Sequence, residues 1–249
     1  MDYGGQMRKN QITTFLFKLG LLFLLPIFRI IPAHADLIWP IVEFPDGIKT
    51  PEGTKLPEEP MSPEIDYLVL MNKLNPLPDN WASAVEFEHI TNSRGNTAEV
   101  EKKAYEAYLA LRNALAAEEV IIDIDSAYRS ITDQMQIMED FTIRYGEDYA
   151  KKFVAVPGYS EHHTGLALDL YLNVDGVDIY DNEEMVKYPE IWAKIHEKLA
   201  DFGFILRYPE GKEDITGFSY EPWHIRYIDN VEAAKKITEQ GLTLEEYLF

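Results

Sequence analysis

Cysteine is absent from all 249 residues. That absence excludes a disulfide framework, a thiolate nucleophile and a thiolate metal site, so any metal bound here rests on His, Asp and Glu. Basic residues are scarce: 23 Lys and Arg stand against 43 Asp and Glu, a formal charge of −20 at pH 7. Contact with phosphates needs clustered Lys and Arg, so the balance argues against nucleic acid or an anionic membrane surface as partner. The plainer reading of the charge is that it keeps the protein soluble. Internal repeats and strong low-complexity tracts are missing too. The chain is long enough for one large domain or two small ones with a proper core.

The charge is uneven, because residues 1–35 hold Arg8, Lys9, Lys18 and Arg29 against Asp2 alone. In this stretch a basic start precedes the apolar run from Leu19 to Phe28, and Ala33-His34-Ala35 fits the small-residue rule for cleavage. It reads as a signal peptide. The alternative is a retained anchor counted from Ile12 to Pro32, interrupted by Lys18 and Arg29 and broken by Pro26. Either way the rest of the chain is expected to be extracytoplasmic, touching a membrane only through this segment if it stays uncleaved. Residues 36–63 carry prolines at 40, 45, 51, 57, 60 and 63 and read as an extended linker or wrapping arm. A single domain is expected over 64–249.

Within that domain, Val100, Ala104, Ala107, Tyr108, Leu111 and Leu115 recur at helical spacing and predict a helix over 98–118. The β-branched run Val120 to Ile124 predicts a strand. Ser130 with Asp133 resembles a capping box and predicts a helix from Ile131 to Tyr145, which puts Arg129 at the strand-to-helix corner and Gln134 in the first turns. Asn173 to Glu184 reads as a solvated acidic loop; a calcium site there does not match the spacing of an EF-hand. Pro189 opens a helix that Gly203 ends, 204–208 and 223–228 read as strands, and 230–248 as short closing helices. Elements that do not alternate regularly predict an α+β domain, a central antiparallel sheet flanked by helices.

Chemistry concentrates in two places, the stretch from Val156 to Leu170 and the cluster from Tyr220 to His224. A catalytic zinc site needs three protein ligands and an open position for water, and His and Asp are good ligands. His163 and Asp169 are six apart and would share a face of a continuous strand, whereas His162 and Asp169, seven apart, would not. Spacing therefore favours His163, unless a turn at Thr164-Gly165 resets the register. Glu221, three residues before His224 and beside Pro222, is placed to take a proton from bound water. Trp223 by itself reads as core, and His89 and His196 as structural or surface residues.

The ordered set Ser160-x-His162-x-x-Gly165-x-Ala167-x-Asp169 followed by Glu221-Pro-Trp-His224 resembles the double signature of the D-Ala-D-Ala metallocarboxypeptidases. That superfamily is shared with lysostaphin-type peptidases and the hedgehog signalling domain. Asn72-Lys73 with Asn75-Pro-Leu-Pro78, Ser126-x-Tyr-Arg-Ser130 with Gln134, Pro157-Gly158, and Arg207-Tyr-Pro with Gly211-Lys212 and Thr216-Gly217 resemble its vancomycin-resistance-type D,D-carboxypeptidase branch, over roughly 64–229. The resemblance implies one Zn²⁺ held by His162, Asp169 and His224, with Glu221 as catalytic base and Arg129 stabilising the oxyanion. It implies Gln134 and Ser160 as substrate-lining residues, and Tyr128 and Trp223, inside the same motifs, are carried with them. His163 stands where the family often has Gln. The implied substrate is a peptidoglycan stem peptide ending in D-Ala, hydrolysed by a monomer. L,D-carboxypeptidase activity on tetrapeptide stems is the enzymatic alternative, and a non-catalytic zinc-containing wall-binding module the other.

Overall fold

Turn chemistry and alternation account for the sheet. In a computed structural model, which describes residues 64–148, 150 and 154–249, a first hairpin pairs β1 (Phe87–Thr91) with β2 (Thr97–Glu101). This hairpin corrects the helix expected over 98–118. The helical period is real, but α1 starts at Lys102 and runs Lys102–Ala116, because pairing with β1 claims Thr97–Glu101. Glu101 then caps the helix, its Oε2 accepting from Ala104 N at 2.8 Å. β3 (Ile121–Ser126) follows, and α2 (Ile131–Tyr145) begins on Ser130, whose hydroxyl accepts from Asp133 N at 3.1 Å.

β4 (Ala167–Val174) is the centre of the main sheet. It pairs antiparallel with β3 along one edge, and along the other with β7 (His224–Tyr227) and the short β5 (Val177–Ile179). The expected acidic loop is therefore corrected at its start: 173–179 is the tip of a β4–β5 hairpin, turned by Asp175 and Gly176, both at positive φ. β6 (Phe204–Leu206) pairs with β7, giving the order β3-β4-β7-β6 with β5 beside β4.

Leu168, Leu170 and Leu172 alternate along β4 and point into the main core. They meet Tyr108, Leu111 and Leu115 of α1 and Trp192, Ile195 and Leu199 of α3 (Pro189–Leu199). Each such side chain, fully buried, stabilises the fold by about 1.5–3 kcal/mol. A second cluster joins Ile205 and Ile228 to Ala234 and Ile237 of α4 (Val231–Gln240) and Leu244 of α5 (Leu244–Leu248). The opposite face of β4 is left for Asp169. Among the described residues no helix is long and apolar enough to cross a membrane. The segments read as export signal and proline-rich arm, 1–35 and 36–63, lie outside the described residues.

Gly165 is where the fold is least tolerant. It sits at φ +73, and a Cβ there would stand 2.5 Å from Phe87 Cε1 and 3.2 Å from Glu101 N. Gly176 has φ +81 but open space around it. Gly165→Ala is expected to cost more than about 2 kcal/mol and Gly176→Ala only about 1 kcal/mol. Urea unfolding of the two variants checks the difference; equal losses would mean that close packing at Gly165 is unimportant.

Candidate metal centre

Three side chains from two distant segments converge at the end of β4. The β4–β7 register sets Asp169 directly opposite His224, so two members of the group are a cross-strand pair. The third arrives from a 3₁₀ turn, Glu161–Thr164, that ends on left-handed Gly165. This turn is the register reset that strand periodicity alone left open. It brings His162, rather than His163, onto Asp169.

Donor geometry separates the two adjacent histidines. His162 Nδ1 donates to Ala127 O at 2.6 Å, leaving Nε2 at 3.1 Å from Asp169 Oδ2. His163 has both nitrogens occupied: Nδ1 donates to Arg129 O at 2.6 Å, and Nε2 accepts from Gly158 N at 3.0 Å. On the other side His224 Nδ1 lies 2.9 Å from Asp169 Oδ1. One donor atom from each of His162, Asp169 and His224 lies within 4.8 Å of the other two. Two imidazoles and a carboxylate, opening on a cavity, fit the three-ligand set with a free position that a catalytic zinc ion takes.

Protonation follows from burial and partners. Burial disfavours charge on His162 and holds its pKa below the ordinary value despite Asp169. For His224 burial is overcome by hydrogen bonds to Asp169 and Glu161, which push it up to about 9. Burial opposes ionisation of Asp169 as well, yet His162 and His224 hold it well below the usual carboxylate range. Asp169 is thus ionised beside the two imidazoles, and His224 would give up its Nδ1 proton on taking a divalent cation.

The cleft in front of the group has a volume of about 360 Å³. Glu221 stands on its wall in the turn before β7, with Oε2 3.8 Å from His224 Nδ1, too far for a hydrogen bond. Burial, together with Asp169, raises its pKa to about 7, although His224 and Arg129 pull it down. Arg129 faces the same space. Its Nη1 donates to Gln134 Oε1 at 2.9 Å and its Nη2 to Ser126 Oγ at 3.1 Å, while Gln134 Nε2 donates to Ala155 O at 2.7 Å. Gln134 thus holds the guanidinium as well as lining the cleft. Ser160 and Trp223 also line it.

Tyr128 departs from the expectation. Neighbours along an extended chain point to opposite sides, and with Arg129 in the cleft, Tyr128 packs on Phe87 instead, ring centroids 4.6 Å apart, beside a different groove. His89 is exposed and pairs with Glu99. His196 Nε2 donates to Pro222 O at 2.9 Å, behind the Glu221 turn.

Sequence reasoning passed over Glu161, which stands in an unspecified position of its own motif. Its Oε1 accepts from Arg207 Nε and Arg226 Nη1, both at 2.7 Å, and Oε2 faces His224 Nε2 at 3.4 Å. A signal was present: the segments expected as strands, 204–208 and 223–228, each carry an arginine, Arg207 and Arg226, and a buried arginine requires an acid. Ile137 and Phe141 were also passed over. They line the cleft three and seven residues after Gln134, on the same helical face.

Fold and site together define the class, a candidate metal centre of two histidines and an aspartate carried on an antiparallel sheet. A family model described as D-alanyl-D-alanine carboxypeptidase, VanY, matches residues 97–230. A D-alanyl-D-alanine carboxypeptidase of Enterococcus faecalis is 38% identical over 190 residues, which is 73% of this chain and 65% of that protein. The chain therefore spans just under two thirds of that relative's length. Among solved structures, the vancomycin-resistance D,D-pentapeptidase VanY of a VanB-type cassette, a mutant in complex with Zn(II), is 38% identical with a TM-score of 0.62, covering 74% of this chain and 99% of that one. The LD-carboxypeptidase LdcB is 36% identical with a TM-score of 0.64, covering 73% and 85%. The chain belongs to the VanY family of D-alanyl-D-alanine carboxypeptidases.

The Glu161 carboxylate is kept ionised by Arg207 and Arg226, which outweigh the burial that opposes charge. Its folded pKa lies below the unfolded value of about 4.3. The stability it contributes is thus complete above that value and disappears as the pH falls toward the folded one. Glu161→Gln leaves two buried guanidinium groups short of a counter-charge and is expected to cost about 3–5 kcal/mol at pH 7. The loss should shrink below pH ~4. Urea unfolding of metal-free protein at both pH values measures it; a constant difference would contradict the charge assignment.

Proposed function

We propose that this protein is a zinc-dependent D,D-carboxypeptidase that removes the terminal D-Ala from peptidoglycan stem peptides. The observation that carries the reading is the convergence of His162, Asp169 and His224 in a cleft whose wall also holds Glu221 and Arg129. In this reading the three converging residues are the zinc ligands. Bound zinc supplies Lewis acidity and lowers the pKa of a water from 15.7 to about 7.

The protein's own groups do the remaining work. Glu221, with a pKa near neutrality, takes a proton from the attacking water as the new C–O bond forms at the scissile carbonyl. Arg129, held by Gln134 and Ser126, donates to the oxygen that gains negative charge. As the C–N bond breaks, Glu221 returns the proton to the leaving amine of D-alanine. Ser160 and Trp223, on the cleft wall, contact the peptide. Such a substrate lies outside the cytoplasm, in keeping with residues 1–35 as an export signal or anchor, and the enzyme acts as a monomer.

A second reading, L,D-carboxypeptidase action on tetrapeptide stems, draws support from the likeness to LdcB. The family description and the Enterococcus faecalis relative favour the D,D reading.

Incubating the zinc-loaded chain with defined stem peptides is expected to release D-Ala from the pentapeptide faster than from the tetrapeptide; the reverse order would select the L,D reading, and release from neither would overturn both. Glu221→Ala should keep stoichiometric zinc while kcat drops by at least about 10². His162→Ala should lose the metal and His163→Ala retain it. Zinc analysis beside the rate assay checks both statements.

A further inference from the structure

Two buried arginines tie the metal centre to both ends of the described chain. Arg207 holds Glu161 through Nε, and its other nitrogens turn away to a second carboxylate: Nη1 and Nη2 donate to Glu245 Oε2 at 2.9 Å and Oε1 at 2.7 Å. Glu245 belongs to α5. Asn72 Nδ2 donates to the same Glu245 Oε1 at 3.2 Å, and Arg207 Nη2 also reaches Met71 O at 3.3 Å. Arg226 spans from Glu161 to Tyr67 O and Val69 O. Both guanidinium groups are fully buried, and the Glu245 side chain is 12% exposed.

We infer that Glu245 is a positioning residue for His224, acting through Arg207 and Glu161, so that the seating of α5 tunes the affinity of the metal site. The inference rests on the zinc reading proposed above. A bidentate arginine–carboxylate pair fixes the guanidinium plane, and that plane fixes where Nε points, hence where Glu161 stands. Glu161 in turn is the acceptor facing the outer nitrogen of His224. Without the charge of Glu245, both arginines lean on the single Glu161 carboxylate, drawing it away from the imidazole and weakening it as an acceptor. Outer-shell partners of a ligating histidine are typically worth about 10–100-fold in metal affinity. Glu245 is one link further out, so its effect is smaller, about 3–10-fold.

A simple anchoring role for Glu245 makes a different prediction, because α5 has a second anchor that bypasses Arg207. Thr243 and Glu246 form a capping box, and Lys212 Nζ pairs with Glu246 at 2.9 Å. Zinc affinity of the full chain is to be measured by competition with a chromogenic chelator for the wild type, Glu245→Gln and Thr243→Ala, with melting of each metal-free protein alongside. The expected result is an affinity weaker by about 3–10-fold for Glu245→Gln and unchanged for Thr243→Ala despite a lower melting temperature. Unchanged affinity in Glu245→Gln, or equal weakening in both variants, would overturn the relay while leaving the zinc reading intact. Failure of the wild type to bind zinc would overturn both together. If Glu245→Gln does not fold without metal, the His224 Nε2–H resonance of zinc-loaded Glu245→Asp carries the same test: a shift supports the relay, and an unmoved signal overturns it.

Discussion

The metal centre depends on one buried carboxylate shared by two buried arginines. Glu161 is 2% exposed and Arg207 and Arg226 are fully buried, so three formal charges sit where water cannot screen them. Isolated, each would cost several kcal/mol in desolvation. Together they are tolerable because every guanidinium nitrogen has a partner: Arg207 reaches Glu161, Glu245 and Met71 O, and Arg226 reaches Glu161, Tyr67 O, Val69 O and Tyr227 O. No buried side-chain nitrogen or oxygen among the described residues lacks a partner. A network of this kind is weak evidence for stability compared with a packed apolar core. Its effect is geometric: it holds the loop carrying His162 against the strand carrying His224.

That geometry shows how the sheet and the site constrain each other. His224 and Arg226 are two apart on β7, so they share a face, and both reach Glu161. Glu161 is adjacent to His162, and Asp169 lies across the ladder from His224. A one-residue slip of β7 against β4 would turn His224 and Arg226 together to the other face. It would leave Glu161 unpaired and Asp169 opposite the wrong side chain. The buried charges thus penalise a register error that the apolar residues Ile225 and Tyr227 alone would resist less strongly.

Much of this was legible in the sequence, and the failures have physical causes. The α+β class, the Ser130 cap and the boundaries of α2 follow from local chemistry, which short windows contain. The hairpin of β1 and β2 was hidden because Val100 falls on the helical period of α1 and also fits a strand, and only pairing with Phe87–Thr91 decides between them. The β4–β5 hairpin had a signal, Asp175-Gly176, outweighed by the density of acidic residues around it. Glu161 was overlooked for another reason: the arginines that signal a buried acid lie 46 and 65 residues away, and nothing local marks this glutamate as their partner. The choice between His162 and His163 turned on a single left-handed glycine. Spacing arguments assume a continuous strand, and Gly165 breaks that assumption.

The acidity of the chain and the chemistry of the cleft also have to be reconciled. Under the proposed function, a peptide ending in a carboxylate would approach a molecule of formal charge −20. At physiological ionic strength charges beyond about 8 Å are largely screened, so the local balance decides. Arg129 is the arginine on the described cleft wall, and Glu161 there is already neutralised by its own arginine partners. With a divalent ion beside Asp169, the inner cleft becomes a positive site within an acidic surface. Under the proposed function Arg129, locked by Gln134 and Ser126, would meet the anionic oxygen at short range, where screening is weakest.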